Sequence, residues 1–144
     1  MKSLSRRMLF GLPVPFFAAR QAEAADAPGS RPTATPVSWN QTELYFGTSQ
    51  PNGSVVTDEQ FGQFIDLYVT PRFPDGLTLL SGDGQFRSFM SNVIIKEKSK
   101  LLILFYPPQM TDANKKIQEI RELYKTMFLQ ESVLRADSRA AISF

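Results

Sequence analysis

Two amphipathic helical segments set among four strand-like runs predict an α+β domain. The first segment carries Phe61, Phe64, Ile65, Tyr68 and Val69 at i, i+3, i+4, i+7 and i+8 spacing. The second carries Ile117, Ile120, Tyr124, Met127 and Phe128. Between them lies the unbroken apolar run LLILFY at 101–106, the pattern of a strand buried on both faces. The stretch Val69–Leu80 links these parts, because it ends a helix, turns and starts a strand.

The elements follow in chain order. Trp39–Thr48 alternates, with Asn40, Thr42, Leu44 and Phe46 on one side and Trp39, Gln41, Glu43 and Tyr45 on the other, which predicts a strand. Pro51-Asn52-Gly53 signals a turn. Thr57 with Gln60 makes a capping box for the first helix. Pro71 has no amide hydrogen and disfavours helical geometry at Thr70, so that helix ends there. Pro74-Asp75-Gly76 is a turn in which Gly76 is expected at positive φ. Leu77–Leu80 is expected to be a buried strand, broken by a bulge at Gly82-Asp83-Gly84 and resumed at Gln85-Phe86-Arg87. Ser91-Asn92 turns the chain into Val93–Ile95 and the apolar run, which Pro107-Pro108 ends. Thr111 is expected to cap the second helix. Ser132–Ala136 is a last strand, with a short edge strand over Ala140–Phe144.

The order is βαββαβ, the split βαβ or ferredoxin-like arrangement. Right-handed crossovers place the strands 4-1-3-2, antiparallel, with both helices on one face. The other face lacks a cover and is expected to meet a second copy of the chain or a small polar or anionic ligand.

Composition narrows the function. The 144 residues contain no Cys and no His. Disulfides, a lipobox anchor, thiolate sites and Cys nucleophiles are excluded, as are the Ser-His triad and imidazole-bound zinc. Lys2, Arg6 and Arg7 precede a short apolar run at Met8–Ala19, and Ala22-Glu23-Ala24 is an A-x-A cleavage signal. Residues 1–24 therefore read as a signal peptide, 25–37 as a disordered Pro/Ala/Ser/Thr spacer and 38–144 as a single domain. The segment Ser5–Phe10 resembles a twin-arginine signal with Leu9 in place of Phe, so both the Sec and the Tat routes fit. The apolar run is too short to span a bilayer, and no membrane span remains after cleavage. Cleavage removes four of the 16 basic residues and one of the 14 acidic ones, leaving 12 against 13. That near-neutral balance argues against nucleic acid as a partner. Periplasmic or secreted localisation is expected.

TELYFG at 42–47, TPRFPDGLT at 70–78, Gly84-Gln85 before an aromatic and Arg87, SKLLIL at 99–104 and QESVLR at 130–135 occur in this order. Together they resemble a family of exported bacterial proteins catalogued as a domain of unknown function. The resemblance covers Trp39–Phe144, and Phe86 stands where that pattern has Trp. It implies export and a small α+β domain. It implies no activity.

No catalytic motif stands out. Gly82-Asp83-Gly84 lacks the Lys and helix start of a phosphate loop. Asp75 and Asp83 fall short of the six or more oxygens of a calcium site. Neither a metal nor another cofactor is expected. The candidate site is on the sheet. If Leu134 and Ala136 face the helices, Glu131, Val133 and Arg135 are left on the open side or its rim, beside Glu43 and Tyr45 of the neighbouring strand. A carboxylate, a phenol and a guanidinium then bind an anion, or Glu43 and Tyr45 do acid–base chemistry. Arg72, held between two prolines, is the outlying ligand-binding candidate. The same three groups also fit a cross-strand ion pair that fixes register. Three functions follow: a non-catalytic binding or assembly module using the open face, a small metal-independent enzyme, or a cell-envelope structural partner without a pocket.

Overall fold

The computed structural model describes residues 35–144. The expected signal peptide and nearly all of the expected spacer lie outside the described residues. The elements are β1 (Val37–Gly47), α1 (Asp58–Phe64) continued by a wider turn over Ile65–Val69, β2 (Thr78–Arg87), β3 (Ile94–Tyr106), α2 (Ala113–Phe128) and β4 (Leu134–Ile142). The four strands form one sheet in the order β2-β3-β1-β4, with every neighbouring pair antiparallel. This is the α+β order expected from the two helical stripes and the strand runs between them.

The alternation of β1 sets the layers. Thr42, Leu44 and Phe46 are buried and meet Leu102 and Leu104 of β3 on one face. Phe61, Phe64, Ile65 and Val69 of the first helical element and Ile117, Ile120, Tyr124 and Phe128 of α2 complete the same core. Phe46, Phe64 and Tyr124 pack edge to face, with ring centroids 4.6 Å (Phe46–Tyr124) and 5.1 Å (Phe64–Tyr124) apart. Met127, expected in the α2 stripe, is exposed.

The helix ends explain themselves locally. Thr57 and Gln60 form the expected capping box on α1. Beyond Phe64 the helix widens, and the Thr70 amide bonds the Ile65 carbonyl five residues back. This turn keeps both Ile65 and Val69 in the core before Pro71 stops the helix. Gly76 has a φ of 138°, the positive value its Pro-Asp-Gly turn calls for. Asp112, rather than Thr111, is the N-cap of α2, and it pairs with Lys116 at 3.0 Å instead of capping through its side chain.

Four expectations need correction. Leu79 and Leu80 are exposed rather than buried: β2 is an edge strand, and Leu80 pairs with Leu101 on the open face. Gly82-Asp83-Gly84 makes no bulge: β2 pairs one-to-one with β3 throughout. The glycine at 84 serves close approach instead, since a Cβ there would stand 3.2 Å from Ser99 Cβ. The LLILFY run is buried on one face only, where Leu102, Leu104 and Tyr106 lie, whereas Leu101 and Ile103 are half-buried and Phe105 is exposed. Lastly, β4 is one continuous strand, and it is shifted in phase. Val133, just ahead of it, is buried, and Leu134 is exposed.

Candidate functional site

The open face of the sheet is built by β1 alternation and by register. Trp39, Gln41, Glu43 and Tyr45 stand on it, opposite Phe105, Ile103 and Leu101 of β3 and Leu134, Ala136, Ser138 and Ala140 of β4. Glu43 is central. Its cross-strand neighbours, Ile103 and Ala136, are apolar. Its own strand supplies its partners: Gln41 Nε2 donates to Oε1 at 2.8 Å and Tyr45 Oη donates to Oε2 at 2.6 Å. The bond to Glu43 favours the protonated phenol, and with slight desolvation and the carboxylate's charge it raises the Tyr45 pKa above its ordinary value. Tyr45 therefore serves as a donor, and Glu43 as an acceptor satisfied on both oxygens.

Arg135 does not join them. It pairs with Leu44 in register, which puts it on the helix face. Its guanidinium meets Asp137 at 2.9 Å and Asn114 Oδ1 at 2.8 Å. Asp137 in turn accepts from buried Thr42 at 2.6 Å, whose hydroxyl also meets Tyr106 Oη at 3.0 Å. This network ties the phase of β4 to the core. Arg72 lies elsewhere again. Its Nε faces Glu119 at 3.3 Å and its NH1 donates to Tyr68 O at 2.7 Å, so it clamps the end of the first helical element to α2. The expected cluster of Glu43, Tyr45 and Arg135 with outlying Arg72 therefore reduces to Glu43 and Tyr45, joined by Gln41.

Two carboxylates lie at the other end of the open face: Glu97, overlooked in the sequence, and Glu131, expected on the open side or its rim. Glu97 Oε2 accepts the Thr48 and Ser49 amides at 2.8 and 2.6 Å, and a Cβ on Gly47 would stand 2.5 Å from Glu97 Oε1. Glu131 accepts the Phe89 amide at 3.2 Å and the hydroxyl of buried Ser88. Tyr45, Phe86, Glu97, Glu131 and Leu134 line a cavity of about 230 Å³ over Gly47, Gly84 and Ser99. The signal for it was the register of Gly47 with Ser99 and of Gly84 with Glu97, which appears only once pairing is known. A larger cleft of about 680 Å³ on the opposite side is crossed by the Lys100–Asp58 and Lys98–Asp83 ion pairs, both 2.6 Å. Among the described residues, no group of three or more acidic side chains is placed to hold a metal ion, and no helix is long and apolar enough to cross a membrane.

The fold and this face are those of a small α+β domain of unassigned chemistry. Over residues 41–144 the sequence matches the family model described as protein of unknown function (DUF3574), and the chain belongs to that family. No curated protein matches it. Among solved structures, it is similar to a phage SAM lyase in complex with S-methyl-5'-thioadenosine, at a TM-score of 0.62 and 17% identity over 73% of this chain and 84% of that one. The phage SAM lyase in its apo state gives a TM-score of 0.55 and 15% identity, over 74% and 85% of the two chains. At these identities the likeness is one of fold.

Proposed function

We propose that this chain is an exported, non-catalytic assembly module of the periplasm or the secreted fraction, and that it closes its open sheet face on a second copy of itself. One observation carries the reading. The helices cover one face of the sheet, while the other leaves Leu80, Phe105 and Leu134 exposed beside half-buried Trp39, Leu101 and Ile103. Exposed apolar side chains gathered on an uncovered sheet face, around the internally bonded Glu43, support an interface there. The test is the mass of the purified protein in solution. An oligomer that Leu101→Arg converts to monomers, at unchanged melting temperature, is expected. A wild-type monomer at every accessible concentration refutes the reading. Export is tested separately by the N-terminus of the protein recovered from its host, expected near Ala25; an intact Met1 form as the main species refutes it.

A second reading, a small metal-independent enzyme, is favoured by the 2.6 Å bond between Tyr45 Oη and Glu43, a donor and an acceptor poised for proton transfer. Arg135, on the other face, supplies no anion site for it. S-adenosylmethionine is the first compound to screen, because a SAM lyase is built on a similar fold. Turnover lost in Glu43→Gln with the oligomer intact would select this reading over the first.

A further inference from the structure

The loop between β2 and β3 is held in one shape yet presents its largest side chains to water. Ser88 is buried, and its hydroxyl accepts the Met90 and Ser91 amides at 3.2 Å each. The Asn92 amide returns to the Ser88 carbonyl at 2.9 Å, with Asn92 in the left-handed region at φ 57°. Glu131 braces the loop from outside through the Phe89 amide. On this rigid tip Phe89 is 90% and Met90 82% exposed. Arg87 and Lys96 flank it, both exposed and neither in an ion pair among the described residues.

The opposite end of the sheet carries the complement. Trp39, Leu77, Phe105, Ile142 and Phe144 line an apolar pocket of about 300 Å³. Asp75 stands on its rim, exposed and outside every ion pair of the described residues, beside Gly76 in its turn. β2 begins beside this pocket at Thr78 and reaches the tip at Arg87. Ten residues of strand span about 33 Å. A tip therefore cannot enter the pocket of its own chain.

We propose that the β2–β3 tip of one copy, Phe89 and Met90 foremost, inserts into the Trp39–Leu77–Phe105 pocket of the next, with Arg87 and Lys96 drawn to its Asp75. The inference rests on the assembly reading above and specifies its geometry. An aromatic anchor for an apolar pocket, with cations beside the anchor and one carboxylate on the rim of the pocket, is the composition of an interface hot spot. Tip and pocket are different surfaces, so two copies either exchange the contact reciprocally about a two-fold axis or repeat it head-to-tail into a ring or filament.

The chain has no cysteine, which makes the test clean. Met90→Cys and Asp75→Cys are made as separate variants, mixed, and treated with a short bismaleimide. Crosslinks joining one variant to the other, with none within either variant alone, are expected. Phe89→Ala is expected to raise the dissociation constant by about 30-fold or more, as loss of an aromatic hot spot does, at unchanged melting temperature. An oligomer that survives Phe89→Ala and Met90→Asp, forms no mixed crosslink, and yet dissolves in Leu101→Arg overturns the tip-in-pocket contact and leaves the open-face reading standing. A monomeric wild type overturns both. Wild-type monomers that sediment with anionic vesicles, and lose this in Phe89→Asp, assign the tip to a lipid surface and refute the proposal.

Discussion

Gly47→Ala tests whether the Glu97 carboxylate is a structural part of the β1 terminus. Gly47 has no positive φ, so an alanine is conformationally acceptable and by propensity alone would stabilise the strand by about 0.5–1 kcal/mol. The space decides otherwise. The new Cβ would stand 2.5 Å from Glu97 Oε1 and 2.9 Å from its Cδ. A free glutamate would swing aside at small cost. This one accepts two backbone amides, Thr48 at 2.8 Å and Ser49 at 2.6 Å, and moving it breaks both bonds. A hydrogen bond to a charged group contributes about 1.5–3 kcal/mol. Both bonds are only part-buried, so the lower end applies, and the loss expected for Gly47→Ala is about 2–3 kcal/mol.

Glu97→Ala should cost a similar amount, since it removes the same two bonds. The double variant is decisive. With the carboxylate gone, the alanine at 47 meets no obstacle, so its cost in that background should vanish. The expected coupling is about 2 kcal/mol, measured by urea unfolding of the wild type, both single variants and the double. Additivity within about 0.5 kcal/mol would refute the reasoning. It would mean that the carboxylate is displaced freely and that its bonds to Thr48 and Ser49 contribute nothing.

Three further outcomes are expected. Phe64→Ala should cost about 3–5 kcal/mol by leaving a cavity among Phe46, Tyr124 and Phe128, read as a lowered denaturation midpoint at unchanged slope. Gly76→Val should lower the melting temperature more than Thr78→Val does, because a β-branched residue resists a φ of 138°; equal melting of the two variants removes the argument. Burial, and then the nearby Glu97 carboxylate, raise the Tyr124 pKa well above its ordinary value, so its proton stays on in the folded protein while the unfolded chain releases it near 10. The stability from this group is complete below pH 10 and falls by up to ~1.4 kcal/mol per unit above it. Tyr124→Phe should flatten that alkaline fall while losing the 2.9 Å bond to the Gly47 carbonyl.

What was legible in the sequence is what repeats within one element. The stripe of Phe61, Phe64, Ile65 and Val69 and the alternation of β1 each carry their own phase, and both hold in the structure. The phase of β4 was not legible. Val133 and Leu134 are adjacent and both apolar, and Ala136, Ala140 and Ala141 are too small to mark a face. Arg135 misled for a physical reason. Its aliphatic stem covers the edge of the core, and its charge reaches out to Asp137 and Asn114, so a cation points toward the helices with its side chain only 14% exposed. LLILFY misled in another way. An antiparallel sheet commonly has one face packed and one open, so a run that is apolar throughout reads as buried on both faces although Leu101, Ile103 and Phe105 stand on the open one.

The site was legible to the same depth. Glu43 and Tyr45 are two residues apart on one strand, so alternation alone brings them together, and no pairing need be known. A cation for Glu43 had to come from a neighbouring strand, where phase was hidden, and neither Ile103 nor Ala136 is one. Its partners are instead neutral, Gln41 and Tyr45, and they engage both carboxylate oxygens. This bears on what covers the face. A carboxylate whose oxygens are already bonded loses fewer hydrogen bonds to water when an apolar surface closes over it than a bare one does. Removing one donor should therefore weaken assembly without weakening the fold. Tyr45→Phe keeps the ring and deletes the bond to Oε2. On the assembly reading it raises the dissociation constant of the oligomer and leaves the melting temperature of the dilute protein unchanged. If association is unaltered, Glu43 lies outside the covered area, and the interface must be sought toward the β2–β3 tip instead.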